Sequence, residues 1–446
     1  MRIRTVVAMT GALALSLTGC AQGGGTAASA DTVSYWLWDA NQLPAYQACA
    51  KGFEKENPGL KVRITQLGWN DYWTKLTAGF IAGTQPDVFT DHIQKFGQFA
   101  DLKVLEPLDG LGIEPSDYQA GLADSWIAQD GHRYGAPKDW DTVALFYNKK
   151  MTDQAGLTGE ELNSLDWNPK DGGSFEKAIA HLTVDANGRR GDEPGFDKNN
   201  VKVYGLASGG EGSGDGQTQW SPFTSSVGWN YTDKKRWGTE YRYDDKTFQS
   251  TIDWYFGLAK KGYMAPLSDY SEGANPANAQ LASGRAAMAF DGAWMISTYY
   301  GSKGLKVGTA FTPVGPTGKR ATMMNGLADS ITRNARNKQG AVKWVKYLSS
   351  DKCQRIVGRY GIVFPATPAG TDAAIAAYEK KGIDVTAFTR PVADKKDFTT
   401  FTYPITNYAA DVTALMKPAM QDIYGNGKPV SSLDQTNDQI NLILSQ

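Results

Sequence analysis

The chain has 446 residues, with 46 Lys and Arg against 47 Asp and Glu, a formal net charge of -1 and 21% charged residues. That balance leaves no basic footprint, which disfavours nucleic acid and anionic lipid as partners. Three His and three Cys without a Cys/His cluster leave a zinc site no ligands, so neither metal nor cofactor is expected. The composition is unusual in its aromatics, 13 Trp and 21 Tyr. Buried Tyr and Trp must find partners for their polar atoms, so the excess suggests an amphipathic ligand surface.

Met1 to Arg4 carries two arginines, and Val6 to Leu17 is apolar apart from Thr10, Gly11 and Ser16. This reads as a secretory signal over residues 1-19, too short for the roughly 20 apolar residues that span a bilayer. Leu17-Thr18-Gly19-Cys20 resembles the bacterial lipobox, which implies a diacylglycerol on Cys20; the alternative is ordinary cleavage after Ala28-Ser29-Ala30. Residues 20-31, rich in Gly, Ala, Ser and Thr, read as a flexible tether. With Cys20 lipidated, Cys49 and Cys353 remain, either as a disulfide in an oxidising compartment or as two buried thiols.

About 415 residues follow the tether, more than one hydrophobic core serves, so two lobes are expected. Val33 to Asp39 alternates like a strand, and Leu43, Tyr46, Ala50 and Phe53 recur at helical spacing until Pro58. Lys61 to Leu67 alternates again, Trp73, Leu76 and Phe80 mark a second helix, and Pro86 to Phe89 is a short apolar strand. Strands alternating with helices predict βαβ units, whose ligands sit beyond the carboxyl ends of the strands. Thr142 to Tyr147 predicts another strand, Asp185 to Gly188 a turn, and Gly209 to Trp220 a flexible surface segment. The glycines of that segment fit neither a nucleotide fingerprint nor a P-loop. Phe248, Ile252, Phe256 and Ala259 mark a helix; another ends at Gly284, followed by an apolar strand and a helix around Trp294. Val342 begins a long helix that runs through Cys353 and closes at Pro365 and Pro368. Asn407 to Gln446 reads as helical, broken at Pro418 and around Gly425 to Pro429.

Five landmarks in order, "FEKENPGLKV" (Phe53 to Val62), "YWTKLTAGFIAGTQPDVF" (Tyr72 to Phe89), "YGAPKDWDTVALFYNKKM" (Tyr134 to Met151), "LASGRAAMAFDGAWMI" (Leu281 to Ile296) and "AVKWVKYLSSDKCQRIVGRYGIVFPA" (Ala341 to Ala366), together resemble the extracellular solute-binding proteins of carbohydrate ABC importers, the family of maltose-binding protein. The resemblance implies an α/β, two-lobed periplasmic-binding-protein-like fold, each lobe a mainly parallel sheet flanked by helices, with hinge crossings and a helical C-terminal region. Lobe one is expected over 32-138 plus 312-364 and lobe two over 139-311 plus 365-446, with crossings near Pro137 to Val143 and Phe311 to Pro316. It further implies a non-enzymatic monomer that binds an oligosaccharide for a permease, lipid-anchored through Cys20 on the outer face of the cytoplasmic membrane.

A pyranose has an apolar face and a rim of hydroxyls, so its site needs flat rings and fixed polar groups. The family pattern points first to Trp294, in the Gly-x-Trp that follows "MAFD". Trp140 with Asp139 and Asp141 sits at the first crossing; Trp38, Asp39 and Asn41 follow the first strand. Asp91, His92 and Gln94 follow "PDVF", Asp291 ends the later apolar strand, Asn325 lies in "MMNGLADS", and Trp220 and Trp229 bracket a lobe-two loop. Each has a plainer reading: core packing for the tryptophans, turn solvation for the carboxylates, a satisfied surface or core residue for His92. Trp69 and Tyr72 read as packing residues of the second helix, and Arg285 as solvent-facing. Two rivals use the same residues: a glycosidase or lyase built on two of Asp139, Asp141 and Asp291, and a lipid-anchored sensor or adhesin without transport. A phosphodiester ligand is disfavoured by the aromatics and the lack of a basic cluster.

Overall fold

The computed structural model describes residues 31–271 and 275–446; the signal, Cys20 and nearly all of the tether lie outside them. Strands β1 (Thr32–Leu37), β2 (Lys61–Gln66) and β3 (Val88–His92) are joined by helices α1 (Leu43–Glu56) and α2 (Trp69–Ala82) and pair in parallel in the order β2-β1-β3. Along β1, Val33, Tyr35 and Leu37 are buried and alternate with half-buried neighbours, the period-two pattern of a strand covered mainly on one side. Helix α1 opens with Pro44 in its first turn and turns Ala45, Tyr46, Cys49, Ala50 and Phe53 inward. Helix α2 stops at Gly83, whose left-handed φ of 69° suits a residue without Cβ.

The rest of the sheet is built on two long strands. β4 (Ala136–Asn148) is buried at every position, and β9 (Arg320–Ile331) at all but its first. Ala136 to Thr142 of β4 pairs antiparallel with β9, whereas Val143 to Asn148 pairs with β7 (Ala286–Gly292) and β8 (Val307–Ala310). β9 starts beside β11 (Phe398–Phe401) and finishes beside β3. With β5 (Val184–Asp185), β6 (Val201–Leu206) and β10 (Phe364–Pro365), these strands make one sheet of 11 strands among the described residues, threaded through both halves. The parallel pairs are β2-β1, β1-β3, β6-β7 and β9-β11, and the remaining pairs are antiparallel, so the sheet is mixed where mainly parallel sheets were expected, because the long strands β4 and β9 run against most of their neighbours. Pro137 to Val143, where the first crossing is expected, lies on β4, and Phe311 to Pro316, where another is expected, lies between β8 and β9.

Two helical expectations change. The long helix through Cys353 is two, Lys338–Leu348 and Asp351–Tyr360, because the Ser350 hydroxyl accepts from the Cys353 N–H and starts a new helix there. It ends at left-handed Gly361, and Pro368 begins the next helix. Pro418 lies inside the helix Ala409–Asn426 without breaking it. Cys49 of α1 and Cys353 form a disulfide with Cα atoms 5.4 Å apart, closing a sequence separation of 304 residues. Both sulfurs sit in a core shared by Val33, Tyr35 and Trp344.

Candidate functional site

Where β4 and β9 change partners, the loops after β1 and β3 and the turn after β7 enclose a cavity of about 470 Å³. Larger depressions of about 730 Å³ beside Trp254 and about 630 Å³ beside Tyr118 take no residue from the ends of β1, β3 or β7. The strand ends are where the backbone of an open α/β sheet leaves room for a ligand, so the smaller cavity is the candidate site.

Three half-buried tryptophans line it: Trp38 from the end of β1, Trp69 from the start of α2, and Trp294 after β7. Trp38 and Trp69 meet edge to face at 5.1 Å, backed by Trp73 and by Tyr72, whose hydroxyl donates to the Thr90 carbonyl at 2.7 Å. This block is rigid because each ring is wedged by another. Trp294 is seated differently. Its ring lies over Gly292, where a Cβ would meet it at 1.8 Å, so the glycine of "DGAW" creates the seat.

The polar wall is made of neutral and compensated groups. His92 caps helix α3 (Ile93–Asp101): its Nδ1 accepts from the Gln94 N–H at 3.1 Å, so Nε2 carries the ring proton. Burial holds His92 neutral, its pKa lowered to about 3. Nε2 lies 3.2 Å from the Asn325 side-chain nitrogen, whose oxygen accepts from the Gly326 N–H. Two donors cannot satisfy one another, so together they present hydrogens to an acceptor entering the cavity. Asn325 also donates to Asp141 Oδ2 at 3.4 Å, while Asp141 Oδ1 is buried without a partner among the described residues. Burial first, then the charges of Asp139 and Asp291, push the Asp141 carboxyl well above the usual range. Asp139 is paired with buried Lys138 at 2.9 Å, and Lys138 also donates to Gln42 and lies 4.3 Å over the Tyr46 ring. Gln217 accepts from the Tyr403 hydroxyl at 2.5 Å, leaving its buried Nε2 unpartnered among the described residues. Unmade hydrogen bonds at a cavity wall are costly, and a hydroxylated ligand supplies what they lack.

Of the residues singled out from sequence, Trp38, Asp39, Asn41, His92, Asp139, Asp141, Trp294 and Asn325 line this cavity. Trp140 does not: it is 2% exposed, stacked at 4.9 Å on Phe364, and donates to Thr371 Oγ1. Strand β4 turns its odd residues, Asp139 and Asp141, toward the cavity and Trp140 to the opposite face. Trp220 and Trp229 are core residues, packed against Phe248, with their Nε1 groups donating to the carbonyls of Glu211 and Arg242. Asp91 is fully buried, accepting from the His92 N–H and from Ser330; Asp291 accepts from the Gly292 N–H and the Tyr299 hydroxyl. Neither lines the cavity, nor does Gln94, which donates to Asp215 at 2.6 Å. Trp69, read from sequence as a packing residue, does line it. Arg285 is not free in solvent: it donates to the Val201 carbonyl and lies over the Tyr204 ring at 4.7 Å.

The segment Gly209 to Trp220 is no flexible surface loop. The Tyr243 hydroxyl donates to the Gly214 carbonyl and the Tyr231 hydroxyl to that of Asp215, while Gly212 and Gly216 lie against the Trp220 ring so closely that a Cβ would collide. Its glycines let the backbone wrap a tryptophan, and the wrapped loop delivers Gln217 to the cavity. Composition alone cannot separate that use of glycine from a mobile linker.

With this geometry in place, the chain can be set beside known proteins. The family model described as bacterial extracellular solute-binding protein matches residues 39–355. A binding protein of Brucella abortus (strain 2308) is 24% identical over 431 residues, 92% of either chain. The maltodextrin-binding protein MdxE of Bacillus subtilis (strain 168) is 24% identical over 306 residues, 67% of this chain and 64% of that one. Among solved structures, the ABC substrate-binding protein Lmo0181 from Listeria monocytogenes, in complex with cycloalternan, superposes with a TM-score of 0.75 at 19% identity, covering 93% of this chain and 99% of the other.

Proposed function

This chain belongs to the bacterial extracellular solute-binding proteins, and from that premise we propose that it takes an oligosaccharide into the cleft between its lobes and presents it to the permease of an ABC importer. The observation that carries the reading is one cavity walled by the loops after β1 and β3, by Gln217 and by the turn after β7, in which half-exposed indoles stand beside polar groups whose hydrogen bonds are unmade. Trp38, Trp69 and Trp294 are the platforms; His92, Asn325, Asp141, Asp139, Gln217, Asp39 and Asn41 read the hydroxyls. Closure turns on β4 and β9, the strands that pair in both halves. A relative named for maltodextrin and a structural neighbour holding cycloalternan support a glycan ligand. Catalysis is the weaker reading because, of the three carboxylates considered for it, Asp139 is neutralised by Lys138 and Asp291 is off the wall, which leaves Asp141 alone among them.

A thermal-shift panel of oligosaccharides tests this. A cognate ligand at about 100 times its Kd adds about 2.7 kcal/mol to stability. If no glycan stabilises the protein while a glycerophosphodiester does, the sugar reading fails; release of shorter products from an oligosaccharide makes the protein an enzyme. Attachment through Cys20 is tested separately: labelled palmitate enters the wild type and not Cys20→Ser. No helix among the described residues is long and apolar enough to cross a membrane.

A further inference from the structure

A second cavity of about 450 Å³ lies between the end of α3, the loop Ala128 to Asp130, and the lobe-two residues Trp237, Asn407 and Tyr408. It shares no lining residue with the cleft. Helix α3 separates the two: His92, its cap, lines the cleft, and Asp101, its last residue, lines the second cavity. Nine residues at about 1.5 Å each put them about 13 Å apart.

Four non-glycine residues among those described have left-handed backbones, and three of them, Lys103 (φ 54°), Trp237 (φ 53°) and Tyr408 (φ 55°), line this cavity. Side chains occupy that region only where the surroundings hold them. Trp237 is held by its Nε1, which donates to the Ile127 carbonyl at 3.1 Å, and by Phe96; the chain bearing Tyr408 is held by Gln129, which donates to Asn407 at 2.8 Å. The result is two rings on the wall of a pocket, with Tyr408 40% exposed. The same wall carries Asp101, Lys103, Asp130, whose oxygens accept from the His132 N–H and the Tyr134 hydroxyl and keep further lone pairs, and the amides of Gln129 and Asn407, which bond each other and keep the Asn407 nitrogen and the Gln129 oxygen. Charges of both signs beside aromatic faces suit a ligand that is itself uncharged, stacks, and both donates and accepts hydrogen bonds.

We propose that this inter-lobe cavity is a second binding site for a small neutral sugar or polyol, independent of the cleft. The test uses the full chain labelled with 5-fluorotryptophan, with the fluorine resonances of Trp237 and Trp294 assigned from Trp237→Phe and Trp294→Phe. Glucose, maltose and choline serve as probes. The expected result is a saturable shift of the Trp237 resonance with glucose or maltose, at a midpoint different from that of Trp294. Tyr408→Gly, which removes the ring and fits a left-handed backbone, weakens that midpoint by about tenfold and leaves the Trp294 titration unchanged. A Trp237 resonance that ignores both sugars, that follows Trp294 with one midpoint, that titrates equally in Tyr408→Gly, or that answers only to choline overturns the proposal. Silence of Trp294 across a glycan panel is a separate outcome and bears on the cleft alone.

Discussion

Trp220 and Trp294 are both seated on glycine, and they do opposite things. Gly212 and Gly216 press on the Trp220 ring, Phe248 meets its edge at 5.3 Å, and its Nε1 is spent on the Glu211 carbonyl. Gly292 presses on Trp294, but no aromatic neighbour covers that ring among the described residues, and it faces the cavity. The carboxylates divide the same way. Both oxygens of Asp91 are engaged inside the sheet, whereas Asp141 keeps one oxygen unpaired at the cleft wall. An aromatic or a buried acid therefore signals function through what is left open around it, and abundance alone does not. Most of this chain's aromatic excess is core.

Substitution on each side separates the two roles. Trp220→Ala empties a fully buried indole site and costs about 3–5 kcal/mol by chemical denaturation; unchanged stability would mean the ring is not core. Cys49→Ser with Cys353→Ser removes a staple from the core around Trp344 and costs about 2–4 kcal/mol, while a folded sample keeps its ligand affinity by calorimetry. Trp294→Ala reverses the pattern: glycan affinity falls about tenfold, about 1.4 kcal/mol, and the midpoint of unfolding moves little. Equal loss of stability and affinity would erase the distinction. Gly292→Ala, which drives a methyl into the Trp294 ring, reproduces that binding loss with the indole still present.

A pH slope separates the two carboxylates. Burial raises the Asp91 pKa from 3.8 to about 8. Between those values the native state holds a proton that the unfolded chain has released. Its stability contribution is therefore fully present below pH ~4 and is lost as pH rises to ~8, at up to about 1.4 kcal/mol per pH unit. Asp91→Asn removes that share of the slope in thermal melts at pH 5 and pH 8 and leaves glycan affinity unchanged. Asp141→Asn, at the cleft wall, lowers affinity.

The loops that end β1 and β3 were legible because strand-helix alternation locates the carboxyl edge of a sheet, and with it Trp38, Asp39 and His92. Trp294 and Asn325 were legible only through family landmarks. Trp140 was misplaced because a strand alternates faces, and no pattern in "KDWD" states which face meets the cleft. Gln217 was missed because a glycine-rich stretch reads as mobile until the tyrosines that pin it, Tyr231, Tyr243 and Tyr403, are known to converge on it from distant positions. Local periodicity reports on local structure; convergence of remote residues leaves no periodic trace.

The disulfide and the path of β9 bear on the order of events during synthesis and export. β3 has β1 on one edge and needs β9 on the other, and the partner of Cys49 lies 304 residues further on. A chain threaded out amino end first thus displays α1, α2 and three strands with an open edge long before the residues that complete them arrive. Such an edge pairs readily with strangers and the missing contacts are of high order, so this stage is slow and prone to aggregation. The β1 to β3 unit, although it is first to emerge, is among the last parts to be finished.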